Sequence, residues 1–313
     1  MPASPAAIIV GAKNVMSEIE IILAARHIKL GVGFEVDRLL PSKRRTLGPF
    51  VLLDHGGPDE HAPGVGFGIL PHPHIGISTL TYVFAGEIIH RDSLGNTTPI
   101  RPGEVNLMTS GRGIVHSERA SPAFVASGGS LHVLQLWVGL TAAHEEVEPW
   151  FQHLDRDELP LITQPGAVAR LIGGSAYGLK SPLRTLTPQF YVDLRLDAGA
   201  SFALPVDHEE RGAYVVSGGV ESDGREIGER HLAFFTPGTR PAIRAVVPSR
   251  VMLLGGERIP PPHMWWNFVS TRVDRIEQAK RDWSEGRFVL PPDDKDEWIP
   301  LPGDAAPHPE PLS

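Results

Sequence analysis

Two short patterns, His72-Pro73-His74 and His116-Ser117-Glu118, place four metal-ligating side chains within one stretch of the chain. Residues i and i+2 of a strand project from the same face, so each pattern presents two ligands from one strand. The chain between His74 and His116 is long enough for several antiparallel strands, which lets the two pairs meet inside one barrel. Three imidazoles and a carboxylate suit a borderline divalent ion and leave one or two coordination positions for a substrate or O2. Two readings stay open at this level. One is a metal centre at His72, His74, His116 and Glu118. The other is a set of satisfied polar side chains, with Pro73 marking a turn that exposes its neighbours. His55, next to Asp54, is the expected residue for orienting a ligand imidazole. The other histidines, His90, His132 and His153 among them, have no partner at metal spacing and are read as non-ligands.

Composition narrows the chemistry. The 313 residues include 14 His and no Cys, which removes disulfides, thiolate nucleophiles and Cys-type metal sites. Lys and Arg number 29 against 37 Asp and Glu, a net charge of −8, which argues against a nucleic-acid-binding face. The one compact basic run, Lys43-Arg44-Arg45, reads as a solvated turn. No apolar run is long enough for a membrane span, and the N-terminus lacks the pattern of a signal peptide. A soluble, cytoplasmic protein without nucleic-acid or membrane partners is expected.

The elements that must position the histidines are short. With 33 Gly and 30 Pro, the chain is punctuated too densely for long helices. Apolar β-type runs such as 50–53, 78–84 and 131–138 predict an all-β sandwich or barrel. One helix is expected where Val273, Ile276, Ala279 and Trp283 recur at spacings of three and four, with Ser270 or Thr271 as N-cap and Gly286 closing it. Expected boundaries are an N-terminal arm over 1–32, loose over 1–17, a first barrel over 33–140, and a linker over 141–186 with a short helix. A second barrel follows over 187–259, then the helix and a Pro-rich tail over 260–313.

An internal repeat supports two barrels. Tyr82–Gly86 matches Tyr214–Gly218, and Val105–Gly111 matches Leu232–Gly238. In the register of those glycines, Leu204, Val206, Ile243 and Ala245 fall at the positions of His72, His74, His116 and Glu118. All four are apolar, as expected of a second copy whose metal site has become core.

The wording of the first block resembles the pirin family of cupins. Gly66, His72-Pro73-His74, Thr79 and Gly86 follow the first cupin motif, with Thr79 in place of its usual Glu. Pro71–Gly76, His90–Gly95 and Gly111–Glu118 carry the pirin form. The resemblance implies a bicupin: two face-to-face jelly-roll barrels with a C-terminal helix and metal in the N-terminal barrel alone. It implies His72, His74, His116 and Glu118 as ligands, around Fe(II) most commonly; Ni, Cu, Zn, Mn or Co suit the same donors. Two functions follow from it. One is an O2-dependent quercetin 2,3-dioxygenase, in which a flavonol loses carbon monoxide; on that reading Glu118, once loosened from the metal, is the candidate to take the substrate proton. The other is a metal-dependent regulator acting through a protein partner, either in transcription or on a metabolic enzyme. For the enzyme reading, Phe67, Ile69, Met108, Gln135 and Trp137 are the candidate lining of the substrate cavity.

Overall fold

The computed structural model describes residues 17–30, 35–42 and 46–303. The loose arm expected over 1–17, except its last residue, and the basic run Lys43-Arg44-Arg45 lie outside the described residues, as does the end of the tail. No described helix is long and apolar enough to cross a membrane.

The chain forms two β-barrels. In chain order the first uses β2 (Arg26–Lys29), β3 (Glu35–Leu40), β4 (Phe50–His61), β5 (Gly68–His74), β6 (Ile77–Ala85), β7 (Ile88–Asp92), β8 (Thr97–Ile100), β9 (Val105–Thr109), β10 (Ile114–Ala120), β11 (Gly129–Gly139) and β12 (Trp150–Leu154). The second uses β1 (Ile19–Ala24), β13 (Leu161–Gln164), β14 (Ala167–Ala176), β15 (Leu179–Lys180), β16 (Gln189–Leu196), β17 (Ser201–Ala203), β18 (Glu210–Ser217), β19 (Gly219–Ser222), β20 (Arg225–Gly228), β21 (His231–Phe235), β22 (Ala242–Ala245) and β23 (Ser249–Gly256).

The repeat is complete at the level of topology. The large sheet of the first barrel runs β12-β9-β6-β11-β4-β3-β2, and that of the second runs β1-β21-β18-β23-β16-β14-β13. The small sheets, β5-β10-β7-β8 and β17-β22-β19-β20, correspond in the same way. Gly86 and Gly218 end β6 and β18 with the same φ of +84°, a left-handed conformation that favours glycine.

The two large sheets face each other. Side chains alternate along each strand, so Leu80 and Tyr82 of β6 meet Tyr191 of β16 and Met252 of β23 in one buried cluster between the barrels. Phe202, Leu204, Val220 and Ile243 fill the inside of the second barrel.

Several boundaries differ from the sequence expectation. The segment 141–186 is not a linker with a short helix. Apart from a single 3-10 turn at Arg156–Glu158, it supplies β12 to the first barrel and β13 to β15 to the second. Strands β13 and β15 are short, and the ten residues of β14 carry Arg170, Gly173, Gly174 and Ser175 among the apolar ones, which hid their pattern. The arm also carries structure: β1 pairs with β21 of the second barrel, and β2 pairs with β3 of the first. The chain start therefore crosses between the barrels.

The expected helix spans Val273–Ser284 and buries Ile276, Ala279 and Trp283, whereas Val273 is exposed. Its N-cap is Arg272, without a side-chain cap, rather than Ser270 or Thr271. Those two residues are taken up by Glu145, whose buried carboxylate accepts from the Thr271 amide at 2.7 Å, the Thr271 hydroxyl at 2.8 Å and the Ser270 hydroxyl at 3.1 Å.

Candidate metal centre

Strand β10 lies between β5 and β7, and its register decides which side chains meet. His116 pairs with His72, and Ile114 pairs with His74. His72, His74 and His116 are all buried, and one ring nitrogen of each lies within 4.8 Å of the others. The ring centroids are 4.4 to 4.9 Å apart, and the Nε2 atoms of His74 and His116 are 3.1 Å apart. His72 Nδ1 meets the Leu70 carbonyl at 2.8 Å, which fixes that ring with Nε2 facing its partners.

Burial pushes the His72 pKa down to about 4, and burial plus the neighbouring imidazoles push His74 and His116 well below the usual range. The three rings are therefore neutral, the form that ligates metal. One proton can satisfy a single Nε2–Nε2 contact, but no group among the described residues serves all three converging nitrogens. A divalent ion does, so the donor set fits a metal.

Glu118 lies outside that cluster of three. A register shift between His116 and Glu118 sets Glu118 opposite Ile69 on β5, and on the other side it pairs with His90 of β7. Burial raises its pKa, against the pull of His90 and a hydrogen bond from Thr81. Thr81 Oγ1 is 3.2 Å from Glu118 Oε1 and 2.6 Å from Gln135 Oε1. One hydroxyl proton cannot serve two acceptors. With the Gln135 amide turned over, its N–H donates to Thr81, and Thr81 donates to Glu118.

A narrow cavity of ≈ 50 Å³ adjoins Glu118, lined by Phe67, Ile69, Thr81, Ile88, Val133 and Gln135 among others. Of the five lining residues expected, Phe67, Ile69 and Gln135 are there. Met108 and Trp137 are not: Trp137 packs edge-on against His74, with ring centroids 5.2 Å apart, and joins the cluster of Val51, Ile77 and Val269.

Two further expectations need correction. His55 does not support a ligand ring. It projects between the barrels, where it meets Tyr214 Oη at 2.5 Å and His132 Nε2 at 2.5 Å, while its neighbour Asp54 lines the cavity and is paired with Arg38. Alternation along β4 sends adjacent residues to opposite faces. The repeat register is also displaced at one strand. Ile243 pairs with Phe202, and the Leu204 amide donates to the Pro241 carbonyl, so Phe202 and Leu204 stand where His72 and His74 do. Val206 is 51% exposed. His74 precedes Gly86 by 12 residues but Leu204 precedes Gly218 by 14, so counting back from the glycines misses by two. The apolar replacement itself stands.

Sequence reasoning missed His90. It is buried on β7, 5.4 Å from His116 between ring centroids, stacked on Phe151 and bonded to buried Asp92 at 3.1 Å. The spacing His90-x-Asp92 carried the signal, since both must share a strand face. His153, read as isolated, lies beside Asp155, two residues on, and Glu104 from the turn before β9.

The strand bearing His72 and His74 is held from behind. Gly76, at φ +69°, follows it where a Cβ would come 1.9 Å from the Val269 carbonyl. Ile75 and Val115, neighbours of the ligands, pack with Phe268, Ile276 and Trp283 of the C-terminal segment. The tail then returns across β10: Asp294 accepts from Arg119 at 2.6 and 2.7 Å and from Ser117 at 2.7 Å, on either side of Glu118.

The pirin family profile matches residues 33–138, and that of the pirin C-terminal cupin domain matches residues 191–289. The chain belongs to the pirin family. A pirin-like protein of Caulobacter vibrioides is 48% identical over 288 residues, covering 91% of this chain and 99% of the relative. Among solved pirin-like folds, a quercetin 2,3-dioxygenase from Acinetobacter baumannii aligns with a TM-score of 0.83 at 31% identity, over 92% of this chain and 97% of that one. The Escherichia coli pirin YhhW, solved with nickel(II), shares the fold at a TM-score of 0.61 and 18% identity, over 76% of this chain and 100% of that one.

Proposed function

We propose that this pirin is an O2-dependent flavonol 2,3-dioxygenase using one divalent metal, Fe(II) foremost, held by His72, His74, His116 and Glu118. The observation that carries the reading is the convergence of three buried neutral imidazoles beside a carboxylate and an apolar cavity. The similarity to the Acinetobacter quercetin 2,3-dioxygenase supports the substrate class. A metal bound there would act as a Lewis acid on the substrate hydroxyl and offer a position open to O2.

The protein's own groups do the rest. Glu118, whose pKa burial raises, serves as acceptor for the hydroxyl proton, and the Gln135–Thr81 chain holds the carboxylate in place. Phe67, Ile69, Ile88 and Val133 keep the reacting carbon away from water. His90, hydrogen-bonded to buried Asp92, stands next to His116.

The narrowness of the cavity favours a second reading, a metal-dependent regulator acting through a protein partner. At ≈ 50 Å³ it must widen before a three-ring flavonol enters. Anaerobic loading with Fe(II), followed by quercetin and air, separates the two. The enzyme reading predicts multiple turnovers of flavonol absorbance. No turnover with Fe(II), Ni(II), Cu(II), Zn(II), Mn(II) or Co(II) would sink it.

A further inference from the structure

Opposite the metal centre's own cavity, the seam between the barrels opens into a cleft of ≈ 180 Å³. Its charged lining is Arg156, Arg170, Arg195, Arg250 and Asp193. Arg156 stands on the turn after β12, Arg170 on β14, Asp193 and Arg195 on β16, and Arg250 on β23. The pairing register sets Asp193 beside Arg170, and Arg195 beside Arg250. Tyr82 and Phe84 of the first barrel complete the floor.

Asp193 is fully committed. It accepts from Arg250 Nε at 2.8 Å and Nη2 at 2.5 Å, and from the Tyr82 hydroxyl at 2.9 Å. Arg250 is held further by lying over the Phe84 ring, 4.0 Å from its centroid. That pair is neutral as a unit. The guanidiniums of Arg156 and Arg195 have no hydrogen-bond or ion-pair partner among the described residues, and Arg170 donates to the Arg156 carbonyl, which brings no charge. Three positive charges thus remain uncompensated in one concave site, on a protein whose net charge is −8. Like charges gathered this way repel, and directly opposed cross-strand pairs such as Arg195 and Arg250 weaken a sheet. Within an acidic surface, a cleft of this kind focuses field on an anion.

We infer that the cleft between the barrels binds a small polyanion carrying phosphate or carboxylate groups. Three guanidiniums match at least two negative charges, and Arg forks take either oxyanion in bidentate fashion. The volume limits the ligand to a compact one, and exposed Leu161 and Val168 at the rim allow a short carbon frame. With Tyr82 and Phe84 of the first barrel and Arg170 and Arg195 of the second in its lining, the bound anion would lie across the seam.

Isothermal titration of the full-length protein at low salt, with pyrophosphate and with citrate as probes, tests this. Saturable binding of either probe is expected, weakened at least tenfold in Arg195→Ala and in Arg170→Ala. Arg184→Ala, whose guanidinium lies over Trp150 outside the cleft, should leave it unchanged. A preference for pyrophosphate would assign phosphate groups, and a preference for citrate would assign carboxylates. Arg195 is exposed, so its removal spares the fold, and a thermal melt of each variant checks that. Absence of binding by both probes, or equal binding by wild type and Arg195→Ala, would overturn the inference.

Discussion

His74 is the residue on which the metal reading is easiest to break. It contacts both partner imidazoles and Trp137, so His74→Ala removes a donor from the middle of the cluster. Metal content measured by plasma mass spectrometry after Fe(II) loading should fall below a tenth of wild type; full occupancy would exclude His74 as a ligand. Glu118→Gln keeps the size and the Thr81 bond but removes the proton acceptor. It should lower flavonol turnover by about 10²–10⁴-fold, the usual range for a general base. The clustering of His72, His74 and His116 was legible because i, i+2 pairs stand out from any background of histidines; the place of Glu118 outside that cluster was not, because it follows from the register shift in β10. His55 was misplaced because neighbouring residues of a strand face opposite ways, and a sequence does not say which face is inward.

At the scale of elements, the sequence revealed what local patterns specify and missed what pairing specifies. The helix was visible in the spacing of Ile276, Ala279 and Trp283, and the duplication in the matched glycines at 86 and 218. Strands β13 and β15 were hidden because each is short, β14 because Arg170, Gly173, Gly174 and Ser175 interrupt its apolar run, and β1 because its pairing partner lies some 210 residues further along the chain. The helix has a purpose beyond closing the chain, since it packs behind the neighbours of His74 and His116. Trp283→Ala should cost about 3–5 kcal/mol in a urea titration. The same variant should release Fe(II) to a chelator faster than wild type does. Stability loss without faster release would mean that the helix does not support the ligand strands.

Across the whole molecule, burial of neutral histidines ties stability to pH. His55 is pushed down to about 2, His72 and His132 to about 4, and His74 and His116 well below the usual value, in each case chiefly by burial. Unfolding returns each to about 6.5, so between those values the unfolded chain binds more protons than the folded one. Stability should therefore fall as pH drops below about 6.5 and keep falling toward pH about 4. Thermal melts of metal-free protein across that range check it, and a flat profile would contradict the burial of these rings. All five rings stand on strands of the first barrel, and His55 meets Tyr214 of the second in the seam. The most direct test of the dioxygenase reading is carbon monoxide evolution from anaerobically Fe(II)-loaded protein given quercetin and then O2. The account predicts carbon monoxide in proportion to flavonol consumed by wild type and none above background from His74→Ala. Wild type that binds Fe(II) yet releases no carbon monoxide would contradict it.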